Sequence, residues 1–148
     1  MKFIKLFETY FEDLSIYSYS MPKELGMKSV GWLDKDHTFE TGDVDSDIID
    51  KLESMESSVQ HMGHHNCPFC GGGFDSARSS NEIWVVSKEG KIYACPRMII
   101  HYIRDHKYLP PQEFLDAVKY GYDFKDPISR ELTKNMMDKL RELRKRKY

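Results

Sequence analysis

The sequence predicts an α+β fold: a small antiparallel hairpin or sheet with several helices packed against it. Three observations carry that prediction. Ile83-Trp84-Val85-Val86 and Lys91-Ile92-Tyr93-Ala94 are β-rich runs joined by Ser87-Lys88-Glu89-Gly90, whose glycine can take a positive φ and close a hairpin over Glu82 to Cys95. Apolar residues recur at helical steps on both sides of that hairpin. Two cysteines stand before it, in Cys67-Pro68-Phe69-Cys70-Gly71, and two histidines, His101 and His106, stand after it.

In chain order, Phe3, Ile4, Phe7, Tyr10, Phe11 and Leu14 step by three and four, which predicts one apolar stripe of a helix over residues 3–14. Ser15 to Ser20 alternates and suits a strand, so helix and strand both stay open near that junction. Pro22 and Gly26 mark a break. Ser29 to Asp34 is short and apolar, a buried strand or ordered loop with Trp32 as a core anchor. A polar connection follows to Asp45. Asp45-Ser46 supplies helix-capping residue types, and Ile48, Ile49, Leu52 and Met55 recur at helical spacing behind it. Ser57 to Gly63 leads to the cysteines, and Asp75 to Asn81 reads as a polar loop.

After the hairpin, Pro96 suits the first turn of a helix, and Met98, Ile99, Tyr102 and Ile103 carry that helix to about His106. Leu109-Pro110-Pro111 stops it. Pro111 opens another helix bearing Phe114, Leu115 and Val118, which ends at Tyr120-Gly121. Asp126-Pro127 starts a C-terminal helix over residues 126–148, with Ile128, Leu132, Met136, Leu140 and Leu143 on one side. Its cationic end, Arg144 to Lys147, suits both a helix C-terminus and a polyanion.

At 148 residues the chain suits a single domain, 1–148, with residues 64–107 as its central module. A content of 13% aromatic residues argues against disorder. No apolar run approaches the ~20 residues of a membrane span. The first residues lack a signal core, and three cysteines do not make a disulfide framework, so the expectation is a cytoplasmic protein with no membrane partner. Residues 1–60 hold six Lys and Arg against thirteen Asp and Glu, while the rest hold sixteen against eleven. An acidic front half could meet a basic protein and a basic tail could meet nucleic acid, although solvated faces explain both.

The central stretch carries the chemistry. Two thiolates two residues apart can share one metal when the chain turns tightly beneath them. The two histidines, with four residues between them in the spacing His-x4-His, complete a Cys2His2 donor set on the following helix. The fold prediction thereby gains a zinc knuckle, with Cys67, Cys70, His101 and His106 around one structural Zn²⁺. Cys95 and His65 are alternative ligands; Cys95 also suits a small buried thiol. No catalytic residue is assigned. Cys-Pro-Phe-Cys also resembles the redox pair of glutaredoxin-like proteins. Three glycines follow it, however, each costing a helix about 1 kcal/mol relative to Ala. The His-x-Glu of zinc deaminases is absent, and Gly71-Gly72-Gly73 lacks the Lys of a phosphate loop.

The segments Val30-Gly31-Trp32-Leu33-Asp34, His65-x-Cys67-x2-Cys70, Glu82-Ile83-Trp84-Val85, Tyr93-Ala94-x-Pro96 and His101-Tyr102-Ile103-x2-His106-x-Tyr108-x-Pro110-Pro111-x2-Phe114 resemble a family of small uncharacterised bacterial proteins over roughly residues 29–118. That family has no established activity, so the resemblance implies a bacterial cytoplasmic protein and no catalytic residue. Its members often lack a cysteine at the position of Cys95, which favours the Cys67, Cys70, His101, His106 set.

The resulting expectation is a non-enzymatic, zinc-stabilised protein-interaction module. Asp43, Asp45, Asp47, Asp50 and Glu53 form its candidate partner surface. Small size and that acidic surface raise a partner-neutralising role. The alternatives are a zinc-dependent nucleic-acid-binding protein, using the helix at 97–107 and the basic tail, and a CxxC thiol redox protein.

Overall fold

A computed structural model describes residues 10–55, 59–70 and 78–146. Its elements are β1 (Lys28–Ser29), α1 (Ser46–Ser54), β2 (Val59–Asn66), β3 (Arg78–Val86), β4 (Ile92–Pro96), α2 (Ile99–His106), α3 (Gln112–Tyr120), β5 (Tyr122–Asp123), α4 (Pro127–Leu132) and α5 (Lys134–Arg146). The fold is α+β. The sheet runs β1-β4-β3-β2, with β5 also paired to β3. β1 lies parallel to β4 and the other pairings are antiparallel.

The hairpin of β3 and β4 is the centre of the molecule. Its register sets Ile83 opposite Cys95, Trp84 opposite Ala94 and Val85 opposite Tyr93. Successive side chains point to opposite faces of a strand. Ile83, Val85, Tyr93 and Cys95 therefore join Leu52, Ile99, Ile103, Phe114 and Val118 in a core beneath α1, α2 and α3. Trp84, Val86, Ile92 and Ala94 join Tyr17, Met27 and Trp32 on the other face, where Leu132 and Met136 also pack. Covering both faces explains why the strands read as unbroken apolar runs. Gly90 closes the turn at φ 86°, and a Cβ there would lie 2.7 Å from the Leu132 carbonyl.

The helix expected over residues 3–14 is not formed where it can be seen. Residues 10–14 are extended or turning, and residues 3–9 lie outside the described residues. The apolar stripe is divided: Phe11 packs with Trp32 on one face of the sheet, and Leu14 packs with the core on the other. One helix stripe cannot serve both faces. The backbone pairs instead with residues 27–32, Leu14 N–H donating to Ser29 O at 2.7 Å and Tyr17 N–H to Met27 O at 2.7 Å. The alternating segment after it contributes one bridge, Ile16 to Lys28.

Three other boundaries differ from the sequence reading. Pro96 ends β4 opposite Glu82, and α2 starts only at Ile99. The loop expected up to Asn81 already belongs to β3 from Arg78, while residues 71–77 lie outside the described residues. The C-terminal helix is interrupted at Thr133, whose hydroxyl donates to Ser129 O at 2.7 Å. Asp126 caps α4 as its residue type predicts, accepting from Ile128 N–H at 2.9 Å. Ile128 at the start of the stripe is 48% exposed and Leu140 only 3%.

Candidate metal centre

The end of β2 and the end of α2 meet at the four metal-type residues. Cys67 follows Asn66, the last residue of β2, and the chain turns so that Cys70 N–H reaches Cys67 O at 3.4 Å. His101 lies in the first turn of α2 and His106 ends it. Five helical steps leave the two side chains about 140° apart around the axis. The buried Tyr102 therefore lies between them on the helix surface, and both rings can swing toward the knuckle.

The Cys67, Cys70, His101 and His106 donor atoms all lie within 4.8 Å of one another, close enough to bind one metal ion. His106 Nε2 is 3.3 Å from Cys67 Sγ, 3.4 Å from Cys70 Sγ and 3.3 Å from His101 Nε2; Cys70 Sγ is also 3.3 Å from His101 Nε2. Nε2 of one imidazole carries at most one proton, so hydrogen bonding cannot satisfy three such neighbours at once. A central cation can. For Zn–S of about 2.3 Å and Zn–N of about 2.0 Å, a tetrahedron has S···N edges of about 3.5 Å and an N···N edge of about 3.3 Å. The residues present fit such an ion.

The surroundings orient the donors. His101 Nδ1 lies 2.8 Å from Asp105 Oδ2, one helical turn on, which turns Nε2 toward the thiols. Phe69, inside the Cys-x2-Cys turn, packs its ring 5.2 Å from His106, 5.3 Å from Phe39 and 5.9 Å from Tyr102. Cys67 is buried and Cys70 exposed. Burial pushes the Cys67 thiol up to about 11, with the neighbouring Cys70 adding to it. That is the opposite of the lowered value a redox thiol needs, and Cys67–Cys70 is a turn rather than a helix start.

Cys95 lies elsewhere. It is fully buried in the core, its Sγ 3.4 Å from Ile83 O, and burial pushes its thiol upward. The backbone of His65 is in β2 opposite Ser79, and its side chain is outside the described residues. His37 is on the surface, stacked on Tyr10 and 2.6 Å from Asp34 Oδ1.

The acidic surface on and before α1 is partly engaged. Asp43, Asp45, Asp47, Asp50 and Glu53 are all exposed. Asp43 pairs with Lys107 at 3.1 Å and Glu53 with Arg104. Arg97 donates to two carbonyls at the C-terminus of α1, Met55 O and Glu53 O, both at 3.0 Å. The cations of the helix at 97–107 thus face α1. Asp105 and Phe69 are the contributors that residue-type reasoning misses. The His-x3-Asp spacing, one helical turn, is the signal that would find Asp105.

Among the described residues, no helix is long and apolar enough to cross a membrane. No curated protein and no solved structure matches the chain. A family match spans residues 9–119, from before the first bridge to the penultimate residue of α3, and includes Cys67, Cys70, His101 and His106. The family has no characterised activity. The chain belongs to the family described as domain of unknown function DUF7919.

Proposed function

We propose that this chain is a non-enzymatic, zinc-stabilised protein-interaction module, with Cys67, Cys70, His101 and His106 holding one structural Zn²⁺. The convergence of those four donor atoms within 4.8 Å carries the reading. Two thiolates and two imidazoles in a tetrahedral arrangement suit zinc better than hard cations, which prefer oxygen. Four protein donors close the coordination shell and leave no position for a reacting water. The metal's contribution is then mechanical: bound, it neutralises the thiolates and ties the end of β2 to the last turn of α2.

The interaction surface is the exposed side of α1 and its approach. With Asp43 and Glu53 paired to cations of this chain, Asp45, Asp47 and Asp50 remain exposed with no ion-pair partner among the described residues. They suit a basic protein. The positions of Arg97, Arg104 and Lys107 against α1 support this reading over nucleic-acid binding through α2.

Metal analysis of the purified full chain tests the proposal. One Zn per chain is expected, lost in Cys67→Ser and in His106→Ala. A metal-free wild type that is fully folded, with the Cys70 and Tyr108 amides as protected as in the zinc-bound protein, would overturn the structural premise. Co-purifying proteins that dissociate when Asp45, Asp47 and Asp50 are changed to Lys, at unchanged zinc content, would support the surface; partners indifferent to those changes would remove it.

A further inference from the structure

The C-terminal helices carry a feature that the metal centre does not use. α4 and α5 meet at Thr133, and with the turn before α4 they line an open cleft of about 620 Å³. Its lining includes the apolar Phe124 and Met137 and the cations Lys125, Arg130, Lys134 and Arg141. The volume is in the range of ligand sites, about 300–1,000 Å³. The residues lining the cleft lie beyond residue 119, where the family match ends.

The charge around the cleft is one-sided. Four cations line it against a single carboxylate, Asp138, which is 3.0 Å from Arg141. Arg130 and Lys134 are exposed and have no ion-pair partner among the described residues. Arg130 and Lys134, beside the Asp138-paired Arg141, suit a multiply charged head, a phosphate or diphosphate, rather than one carboxylate. Apolar residues in the lining suit a ligand with a planar body. The Phe124 ring is held edge-on to Trp84, 4.9 Å between centroids, so it is anchored on the core.

We propose that this cleft binds a phosphate-bearing ligand of nucleotide size, its phosphates held by Arg130, Lys134 and Arg141 and its planar body laid against Phe124 and Met137. The same chemistry is available from a free nucleotide or from a nucleotide unit in a strand. A volume on the scale of a single ligand favours the free nucleotide.

Calorimetric titration of the zinc-loaded full chain with ADP, GDP, inorganic pyrophosphate and a short single-stranded oligonucleotide tests this. A nucleoside diphosphate should bind about tenfold or more tighter than pyrophosphate, and more weakly as salt is raised. Arg130→Ala with Lys134→Ala should weaken it by about tenfold or more with zinc content unchanged. Phe124→Leu should weaken the nucleotide and leave pyrophosphate unaffected. The proposal is overturned if neither diphosphate binds, or if the double variant retains wild-type affinity. It is also overturned if pyrophosphate binds as tightly as the nucleotides, or if only the oligonucleotide binds.

Discussion

Tyr108 donates a 2.7 Å hydrogen bond to Asp13 Oδ2, joining residues 95 positions apart. Asp13 Oδ1 also accepts Gly31 N–H at 3.0 Å. Tyr108 is two residues past His106 and fully buried, so this contact fixes the N-terminal segment to the chain leaving the metal cluster. Burial raises the Asp13 carboxyl above its ordinary 3.8, and the bonds from Gly31 and Tyr108 work against that rise. A raised carboxyl costs stability as pH climbs through the window above 3.8. Tyr108→Phe removes one lowering contact and widens the window upward. The expected loss is about 1.5–3 kcal/mol at neutral pH, shrinking as pH falls toward 3.8. Urea unfolding of both proteins across that pH range checks it.

Asp105→Asn should separate metal affinity from fold stability. The carboxylate holds His101 through Nδ1 at 2.8 Å, and its side chain is 62% exposed. Loss of such an orienting carboxylate costs about 10–100-fold in metal affinity. An exposed pair contributes within about 0.5 kcal/mol to the fold itself. Chelator competition should register the first effect, and denaturation of the metal-free protein should show almost none.

The parts of this molecule that are legible from sequence are those in which a residue's own pattern decides its state. The β3–β4 hairpin declares itself because Ile83 to Val86 and Ile92 to Ala94 are buried on both faces. The Cys2His2 cluster is legible as a grouping because thiols and imidazoles at those spacings have few other uses, and the fold brings the four within 4.8 Å. β2 is not legible. Val59 to Asn66 is largely polar, and it becomes a strand through pairing with β3, shifting register between Gln60 and His65. The N-terminal stripe misleads for the converse reason: helical spacing of Phe11 and Leu14 is overridden when the sheet takes them on opposite faces. Nor does composition reveal that Arg104 and Lys107 meet Glu53 and Asp43 across the fold.

Gly121→Ala should be costly for reasons of space alone. A Cβ there would lie 2.2 Å from Val86 O and 2.4 Å from Ala117 O, both backbone atoms. Relief requires separating the end of α3 from β3, which breaks the pairing of Tyr122 with Val86. The expected loss is about 2–3 kcal/mol. Gly26→Ala is the control: its φ is 71° with nothing within 4 Å, so only backbone strain of about 1 kcal/mol is expected. Thermal unfolding of the two variants ranks them.

Metal removal should loosen one end of the molecule before the other. The knuckle is a short turn tied to α2 through the cluster, aided by the packing of Phe69. The hairpin is held by five register pairs and by cores on both faces, none of which needs the metal. Chelation exposes two thiols and two imidazoles to mutual crowding, and structural zinc contributes on the order of 10 kcal/mol in small domains. Hydrogen exchange after chelation should show lost protection at the Cys70 amide and at the Tyr108 amide, which bonds Tyr102 O at 3.1 Å. The β3 and β4 amides should keep theirs. Cys95→Ala should leave zinc content at the wild-type level, because Cys95 Sγ lies against Ile83 O in the core. Equal loss of protection throughout the chain would instead make the metal a requirement of the whole fold.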